Sequence, residues 1–461
     1  MSDTPSGADD DASALPDRPA LGIWELAWPA ILTNLLFSVI GIISIKIVGE
    51  LGASAVAAVT TGQRIFFGLQ AILMAVSAGT TALVARSWGA KQFDEGAMVT
   101  SASLWIGNGV ALALMAPCLL FPRQIAGIFG LDAETTAQAA DYIFYLSLFN
   151  VAFAVNMVLG ASLRAAGDTR TPLWIGAITN VINVLMVYWF VFGGLGVPAM
   201  GVAGAGVANG ASFAVGAVIL LALWYGRMLK VGVGGAGSLS RKRLRQLVHI
   251  GYPAGVEQFV FQAGFVAFLW IVAFYGTEAF AAYGIGVQIL SLSFVVGFGF
   301  SIAGATLVGQ HMGARDPAEA TKQGWRATGL AIGSMLILSV FIIGFAEEIA
   351  RLLIDDDEVV RLTMIFIYIL GGAQPLMAIE FTLGGCLRGA GDTRFPLVTT
   401  MMGLIGVRVG LAAIAYFLGL SVVWIYAALI GDYIVKASML VWRFRSDRWK
   451  QIFADSEARF A

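Results

Sequence analysis

The chain has 461 residues, of which 58% are hydrophobic and only 12% charged, and its mean hydropathy is +0.82. A soluble globular protein carries roughly twice that charge, and a formal net charge of −1 leaves no basic footprint for nucleic acid. Apolar stretches of about 20 residues recur throughout, the pattern of membrane-spanning helices.

Residues 1–20 are rich in Ser, Asp, Pro and Ala, which predicts a disordered tail. They lack the basic start of a cleaved signal peptide, so the first span is expected to remain in the mature protein. Twelve spans follow, near 23–48, 54–86, 98–121, 139–164, 172–193, 199–225, 247–273, 279–309, 323–345, 361–387, 396–417 and 421–443. Several exceed the ~20 residues that cross hydrocarbon, which implies tilt or extension past the membrane. The glycine run from Gly201 to Gly210 lies in apolar surroundings, where it permits close helix approach rather than nucleotide binding. Cys118 and Cys386 fall in or at the end of apolar segments and read as buried small side chains. His249 and His311 lack the spacing of a metal cluster, and no metal site or cofactor is expected.

Lys and Arg set the expected orientation. Loops after even-numbered spans carry Arg86 and Lys91, Arg164 and Arg170, the cluster from Arg227 to Arg245, Arg315 to Arg326, and Arg388 and Arg394. Odd loops offer little beyond Arg123, Arg351 and Arg361. The positive-inside rule then places the even loops and both termini in the cytoplasm of an inner-membrane, multi-pass protein. The stretch VGVGGAGSLSRKRLRQL, 231–247, reads as a flexible linker whose Ser238 or Ser240 caps a basic helix at the membrane surface. The expected organisation is a cytoplasmic tail (1–20), an N-terminal six-helix bundle (21–226), a cytoplasmic linker (227–246), a C-terminal six-helix bundle (247–445) and a cytoplasmic tail (446–461).

The two bundles are copies. LRAAGDTRTPL (Leu163 to Leu173) and LRGAGDTRFPL (Leu387 to Leu397) differ at two of eleven positions and lie 224 residues apart. The same shift pairs Pro29 with Pro253, Gly52 with Gly276, Gly89 with Gly313 and Pro172 with Pro396, without a gap. Six spans per copy is an even number, so both copies enter from one side of the membrane. The fold class expected is an all-α membrane protein, twelve transmembrane helices as two six-helix bundles related by a pseudo-two-fold axis along the membrane normal. Within the phrase, Arg164 and Arg388 suit helix C-termini, and Gly167 and Gly391 suit left-handed turns. Asp168 and Asp392, or the following threonines, suit caps of the next helix. The phrase therefore reads as architecture.

Over 21–445 the chain resembles the multidrug and toxic compound extrusion (MATE) transporters. The resemblance rests on Pro29, on the sequence from Val48 to Gly52, and on the doubled Leu-Arg-x-Ala-Gly-Asp-Thr-Arg-x-Pro. It implies an antiporter that expels amphipathic, often cationic compounds in exchange for H⁺ or Na⁺. Many members carry an Asp in span 1, where this chain has Ser44, and another four residues after the span-5 Asn, where it has Val187. Another branch uses acids in spans 7 and 10. Glu257 and Glu380 are similar to that pair but stand about one turn away, the family positions falling nearer Phe261 and Met377.

Ionisable groups deep in a membrane cost roughly 2.5–3.5 kcal/mol on insertion scales, which makes each a functional candidate. At ~1.5 Å per residue, Glu257 lies about 18 Å past Arg245, Glu380 about 12 Å before Arg388 and Arg408 about 18 Å past Pro396. The three are expected to form an ion-coupling site, helped by Gln258 and Gln374; the alternative is a structural ion pair. Their repeat mates are Thr33, Asn156 and Val184, so the fold is duplicated while the charge is not. Asn34, Asn156, Asn180 and Asn183, with Phe261 and Met377, are candidates for the wall of a substrate cavity, against a plain packing role. Pro29, Pro253 and Pro375 are expected to kink their spans for gating.

The function expected is export of small organic molecules by a monomer in the bilayer, working by alternating access. No Walker-type motif supports ATP hydrolysis. The alternatives are a lipid-linked-saccharide flippase, which needs a strongly cationic cavity, or another organic-solute exporter on a related scaffold. A membrane-embedded enzyme is disfavoured because the carboxylates are scattered, and a major-facilitator fold because the Gly-Asp-Thr-Arg-x-Pro phrase is doubled.

Overall fold

The N-terminal half contains helices α1 (Ile23–Gly49), α2 (Ala53–Gly89), α3 (Phe93–Leu120), α4 (Pro122–Gly127), α5 (Ala133–Ser147), α6 (Asn150–Ala165), α7 (Arg170–Phe192) and α8 (Gly201–Tyr225). The C-terminal half contains α9 (Arg241–Ala273), α10 (Thr277–Gly313), α11 (Pro317–Gly344), α12 (Ala346–Leu353), α13 (Asp357–Gly372), α14 (Gln374–Gly389) and α15 (Arg394–Thr400). A π-helical segment (Met401–Val409), α16 (Gly410–Phe417) and α17 (Val422–Arg445) complete it. This computed structural model describes residues 22–194, 196–235 and 237–452; the expected tail 1–20 and the end of the C-terminal tail lie outside the described residues. Among the described residues, ten helices are long and apolar enough to cross a membrane, and the bent pairs α5–α6 and α13–α14 raise the number to twelve if each is one span.

The 224-residue repeat extends to the backbone. Phe93 and Pro317 begin equivalent helices, as do Pro122 and Ala346, Ala133 and Asp357, Asn150 and Gln374, and Arg170 and Arg394. Asp132 and Asp356 cap equivalent helices, accepting hydrogen bonds from the backbone amides of Thr135 and of Glu358 and Val359. Lys91 and Arg315 share a positive φ, 56° and 59°, and Gly167 and Gly391 take the expected left-handed turns at 78° and 91°. The aspartates of the repeated phrase, not its threonines, bond the next helix: Asp168 Oδ1 accepts from Thr171 N at 3.0 Å and Asp392 Oδ1 from Phe395 N at 3.4 Å. Thr169 turns away and donates to Glu25 O of α1 at 3.2 Å.

Ser240 accepts from Arg243 N at 3.3 Å, but the basic segment it caps is not a separate surface helix. It runs unbroken into span 7 as the first turns of α9, and Arg243 Nε donates to Glu95 Oε1 of α3 at 2.6 Å.

Spans 4 and 10 bend by 56° and 52° where α5 meets α6 and α13 meets α14. Pro375 stands in the first turn of α14, yet its mate in α6 is Val151, so proline is not the common cause. What the breaks share is a buried amide side chain at the first residue after them. Asn150 accepts from Gln70 Nε2 of α2 at 2.6 Å, and Gln374 Nε2 donates to Ser293 Oγ of α10 at 2.7 Å. In a membrane, polar partners of this kind hold an interrupted helix against its neighbour. Pro29 and Pro253 lie inside single uninterrupted helices.

The halves meet through α1, α2, α9 and α10. The first turns of α1 share a buried cluster with Phe300, Ala303 and Leu307 of α10, and the first turns of α9 share one with Leu83, Val84 and Ala85 of α2. At the far ends of α2 and α10, a Cβ on Gly89 would collide with Gln310 O and one on Gly313 with Arg86 O. Gln310 Nε2 donates to Ala165 O at 2.8 Å and Thr306 Oγ1 to Arg164 O at 3.1 Å. These contacts cluster at the end of the molecule that carries the repeated turns.

Candidate substrate cavity and ion-pair site

A partly enclosed cavity of about 590 Å³ lies in the N-terminal half, with Ile302 of α10 also at its wall. Phe153, Asn156, Met157, Gly160 and Arg164 line it from α6, at the spacing of one helical face. Thr33, Asn34 and Ser44 come from α1, Asn180 and Asn183 from α7, and Asn209, Ser212 and Phe213 from α8. Its uncharged polar groups form a hydrogen-bonded chain. Asn183 Nδ2 donates to Asn209 Oδ1 at 2.8 Å and to Ser212 Oγ at 3.1 Å, while Asn209 Nδ2 donates to Tyr142 OH at 2.9 Å. Ser44 Oγ stands 3.5 Å from Asn183 Oδ1. Phe66, Phe153 and Phe213 pack together as an aromatic wall, with centroids 5.1–6.3 Å apart. No Asp or Glu is among the lining residues.

The C-terminal half uses the equivalent place differently. Lys436 Nζ lies 3.0 Å from Glu380 Oε1 and 3.2 Å from Asp432 Oδ1, and Arg408 Nη2 pairs with Asp432 Oδ2. Asp432, Lys436 and Arg408 are buried, and the two cations stand over the Tyr433 ring, 5.3 Å for Arg408 and 5.6 Å for Lys436. Arg408 belongs to the π-helical segment, whose counterpart in α7 is regular α-helix. Such wide turns often re-aim a side chain at functional sites. Gly403 on the same segment is required, because a Cβ there would collide with Asp432 Oδ1. Two acids and two bases leave the quartet formally neutral, so each charge is compensated within the membrane.

Glu257 is not part of the quartet. Its Oε1 accepts from Arg388 Nη1 at 3.0 Å and from Thr400 Oγ1 at 3.3 Å. Arg388 does not extend toward the lipid surface from the end of α14 as its position suggested. It lies back along its own helix, over Gly384, in the direction helix side chains point. Arg164 lies back over Gly160 in the same way and reaches the cavity.

A family model described as MatE matches the chain twice, over residues 29–189 and 253–414. The chain belongs to the MatE family. It is 31% identical over 439 residues to a probable multidrug resistance protein NorM of Thermotoga maritima, covering 93% of this chain and 92% of the relative. It is 22% identical to an uncharacterized transporter YisQ of Bacillus subtilis, over 95% and 96% of the two chains. Its fold is similar to that of a MOP superfamily transporter from Pyrococcus furiosus, with TM-score 0.86, 20% identity, and 93% and 96% of the chains covered. A structure described as the outward-facing conformation of a multidrug resistance MATE family transporter gives TM-score 0.85 at 20% identity.

As a MatE member the protein is a multi-pass membrane protein whose candidate residues divide between its halves. Asn34, Asn156, Asn180 and Asn183 line the N-terminal cavity. Phe261 is half-buried and not among its lining residues, and Met377 is fully buried in the C-terminal core beside Phe366 and Ala378, so neither belongs to this wall. Of the expected coupling set, Glu380 and Arg408 meet through Asp432 and Lys436. Glu257 stands with Arg388, and Gln374 anchors the break in span 10. Gln258 is half-buried and makes no side-chain hydrogen bond among the described residues. Equal depth along three helices did not imply contact, because depth says nothing about which face a side chain occupies.

Asp432 and Lys436 were overlooked in the sequence, although charges four residues apart in the apolar span Val422–Arg445 carry the same signal that flagged Glu380. Val187 is fully buried in the cluster with Ala139 and Tyr142, so the second MatE carboxylate position is occupied by packing.

Proposed function

We propose that the protein is a multidrug efflux transporter that exports amphipathic organic compounds in exchange for an inward-moving cation, by alternating access. The observation that carries this reading is the division between the halves. One holds a cavity with an aromatic wall and a chain of neutral hydrogen-bonding groups; the other holds a largely buried quartet of ionisable groups at the equivalent place. Cavities of 300–1,000 Å³ with few placed polar groups suit organic ligands. Glu257, Glu380 and Asp432 supply the carboxylates whose charge can change during a cycle.

The coupling ion we infer is H⁺. The carboxylates of the quartet are already engaged by an ammonium and a guanidinium, so a metal cation would have to displace a fixed charge, whereas a proton needs only to neutralise one oxygen. The excess of Lys and Arg beside the repeated turns supports a cytoplasmic position for that end. With the halves in contact there, the reading is a conformation closed to the cytoplasm. Reconstituted protein given a pH gradient should drive efflux of a fluorescent amphipathic dye, and a Na⁺ gradient alone should not. Equal drive by Na⁺ at constant pH would overturn the ion assignment, and no gradient-driven efflux under either condition would overturn the transport reading.

A further inference from the structure

The repeat leaves one cation unbalanced. Arg164 and Arg388 are equivalent, and each lies back over a glycine four residues earlier, Gly160 and Gly384. In the C-terminal half the guanidinium meets Glu257 at 3.0 Å. The residue equivalent to Glu257 is Thr33, whose hydroxyl instead donates to Pro29 O of its own helix at 2.7 Å. Thr33 and Arg164 both line the N-terminal cavity, which has no acidic lining residue. Among the described residues Arg164 forms no ion pair and no hydrogen bond through its guanidinium. A second donor is also unmatched. Asn180 is 5% exposed, lines the same cavity, and its Nδ2 has no hydrogen-bond partner.

We infer that the N-terminal cavity recognises an acid group on its ligand, with Arg164 as the principal partner. The class is an amphipathic organic anion or zwitterion bearing a carboxylate or sulfonate. This rests on the cavity being the substrate site. An unpaired guanidinium facing a partly enclosed space favours an oxyanion, to which it can present two parallel donors. The opposite end of the cavity suits the rest of such a molecule. Phe153 is eleven residues before Arg164 on the same face of α6, about 16 Å along the axis. Phe66 and Phe213 stand beside it and supply an apolar surface for a planar ring system. The position of Thr33 explains why the site is present in only one half. A carboxylate there would neutralise the arginine from within, as Glu257 does for Arg388.

The inference is tested with two dyes that share one ring system, rhodamine B, which has a free carboxylate, and its ethyl ester. Binding to the purified full-length chain is followed by fluorescence anisotropy, with no gradient applied. Wild type should bind the acid about tenfold more tightly than the ester, the size of one charge-assisted hydrogen-bonded contact. Arg164→Gln should remove that preference, and Arg164→Lys should keep part of it. Thr33→Glu leaves Arg164 in place and copies the pairing of the other half, so it should remove the preference even if Arg164→Gln folds poorly. No preference in wild type, or a preference that survives both Arg164→Gln and Thr33→Glu, overturns the inference. Binding is read apart from efflux: gradient-driven export without an Arg164-dependent preference sinks this inference alone. Preference without export in any gradient sinks the transport reading and leaves the recognition site.

Discussion

Lys436 on α17 holds the Glu380 carboxylate of α14 at 3.0 Å while also reaching Asp432, one turn earlier on its own helix, at 3.2 Å. One ammonium therefore links two acids, and the second acid is held independently by Arg408. Protonation of Glu380 frees its link to α17 without stranding Lys436, which keeps Asp432. That arrangement can transmit a change of charge into a change in how two spans pack.

Glu380→Gln should accordingly lower pH-gradient-driven efflux more than tenfold while changing dye affinity in the N-terminal cavity less than threefold. Efflux and anisotropy on the same preparation check it. Equal losses in both would place Glu380 in ligand binding instead of coupling.

Lys436→Met removes the shared cation and leaves two carboxylates, Asp432 buried and Glu380 partly buried, with one arginine. Breaking a buried pair on one side costs about 3–5 kcal/mol in soluble proteins. The expected result is a marked fall in melting temperature in detergent. Lys436→Met combined with Glu380→Gln should recover part of it, because the uncompensated charge is gone.

Glu257 and Arg388 should behave as a separate unit. Each single change, Glu257→Gln or Arg388→Gln, should destabilise more than its share of the double change, with a coupling of about 1–3 kcal/mol by thermal or denaturant unfolding. The cycle joining Glu257→Gln to Lys436→Met should be close to additive, because no ion pair joins those groups. Strong coupling between them would show that the two clusters form one network.

The contact of Gly89 with Gln310 and of Gly313 with Arg86 has no room for a side chain. Gly89→Leu or Gly313→Leu should prevent the halves from closing at that end. Cysteines introduced near the repeated turns should then label faster with a membrane-impermeant reagent applied from the cytoplasmic side. Unchanged labelling in both variants would show that this contact does not hold the closed state.

Ser44→Asp places a carboxyl group beside Asn183, where Ser44 Oγ now stands 3.5 Å from Asn183 Oδ1, in a cavity with no acidic lining residue. Affinity for a cationic dye should then rise with pH as the new carboxylate loses its proton, while wild type stays flat across the same range. Anisotropy titrations from pH 4 to 8 distinguish the two.

Much of the architecture was legible in the sequence because it depends on composition and period. Apolar length marks a span whatever its neighbours are, and the 224-residue shift names equivalent residues without coordinates. The neutral wall of Asn156, Asn180 and Asn183 could be read in the same way, since polar side chains in apolar spans need partners or a cavity. Lateral pairing could not. Glu257, Glu380 and Arg408 share a depth, but contact depends on helix rotation and packing, and those assign Glu257 to Arg388 and bring Asp432 and Lys436 between the other two. The π-helical turn around Arg408 and the backward reach of Arg164 and Arg388 are likewise absent from any linear pattern. The spans, the duplication and the positions where the two copies differ follow from one-dimensional order alone. Which charges neutralise each other, and which arginine is left facing the cavity, depends on how the helices pack, because electrostatic partnership is set by distances of a few ångströms between different helices.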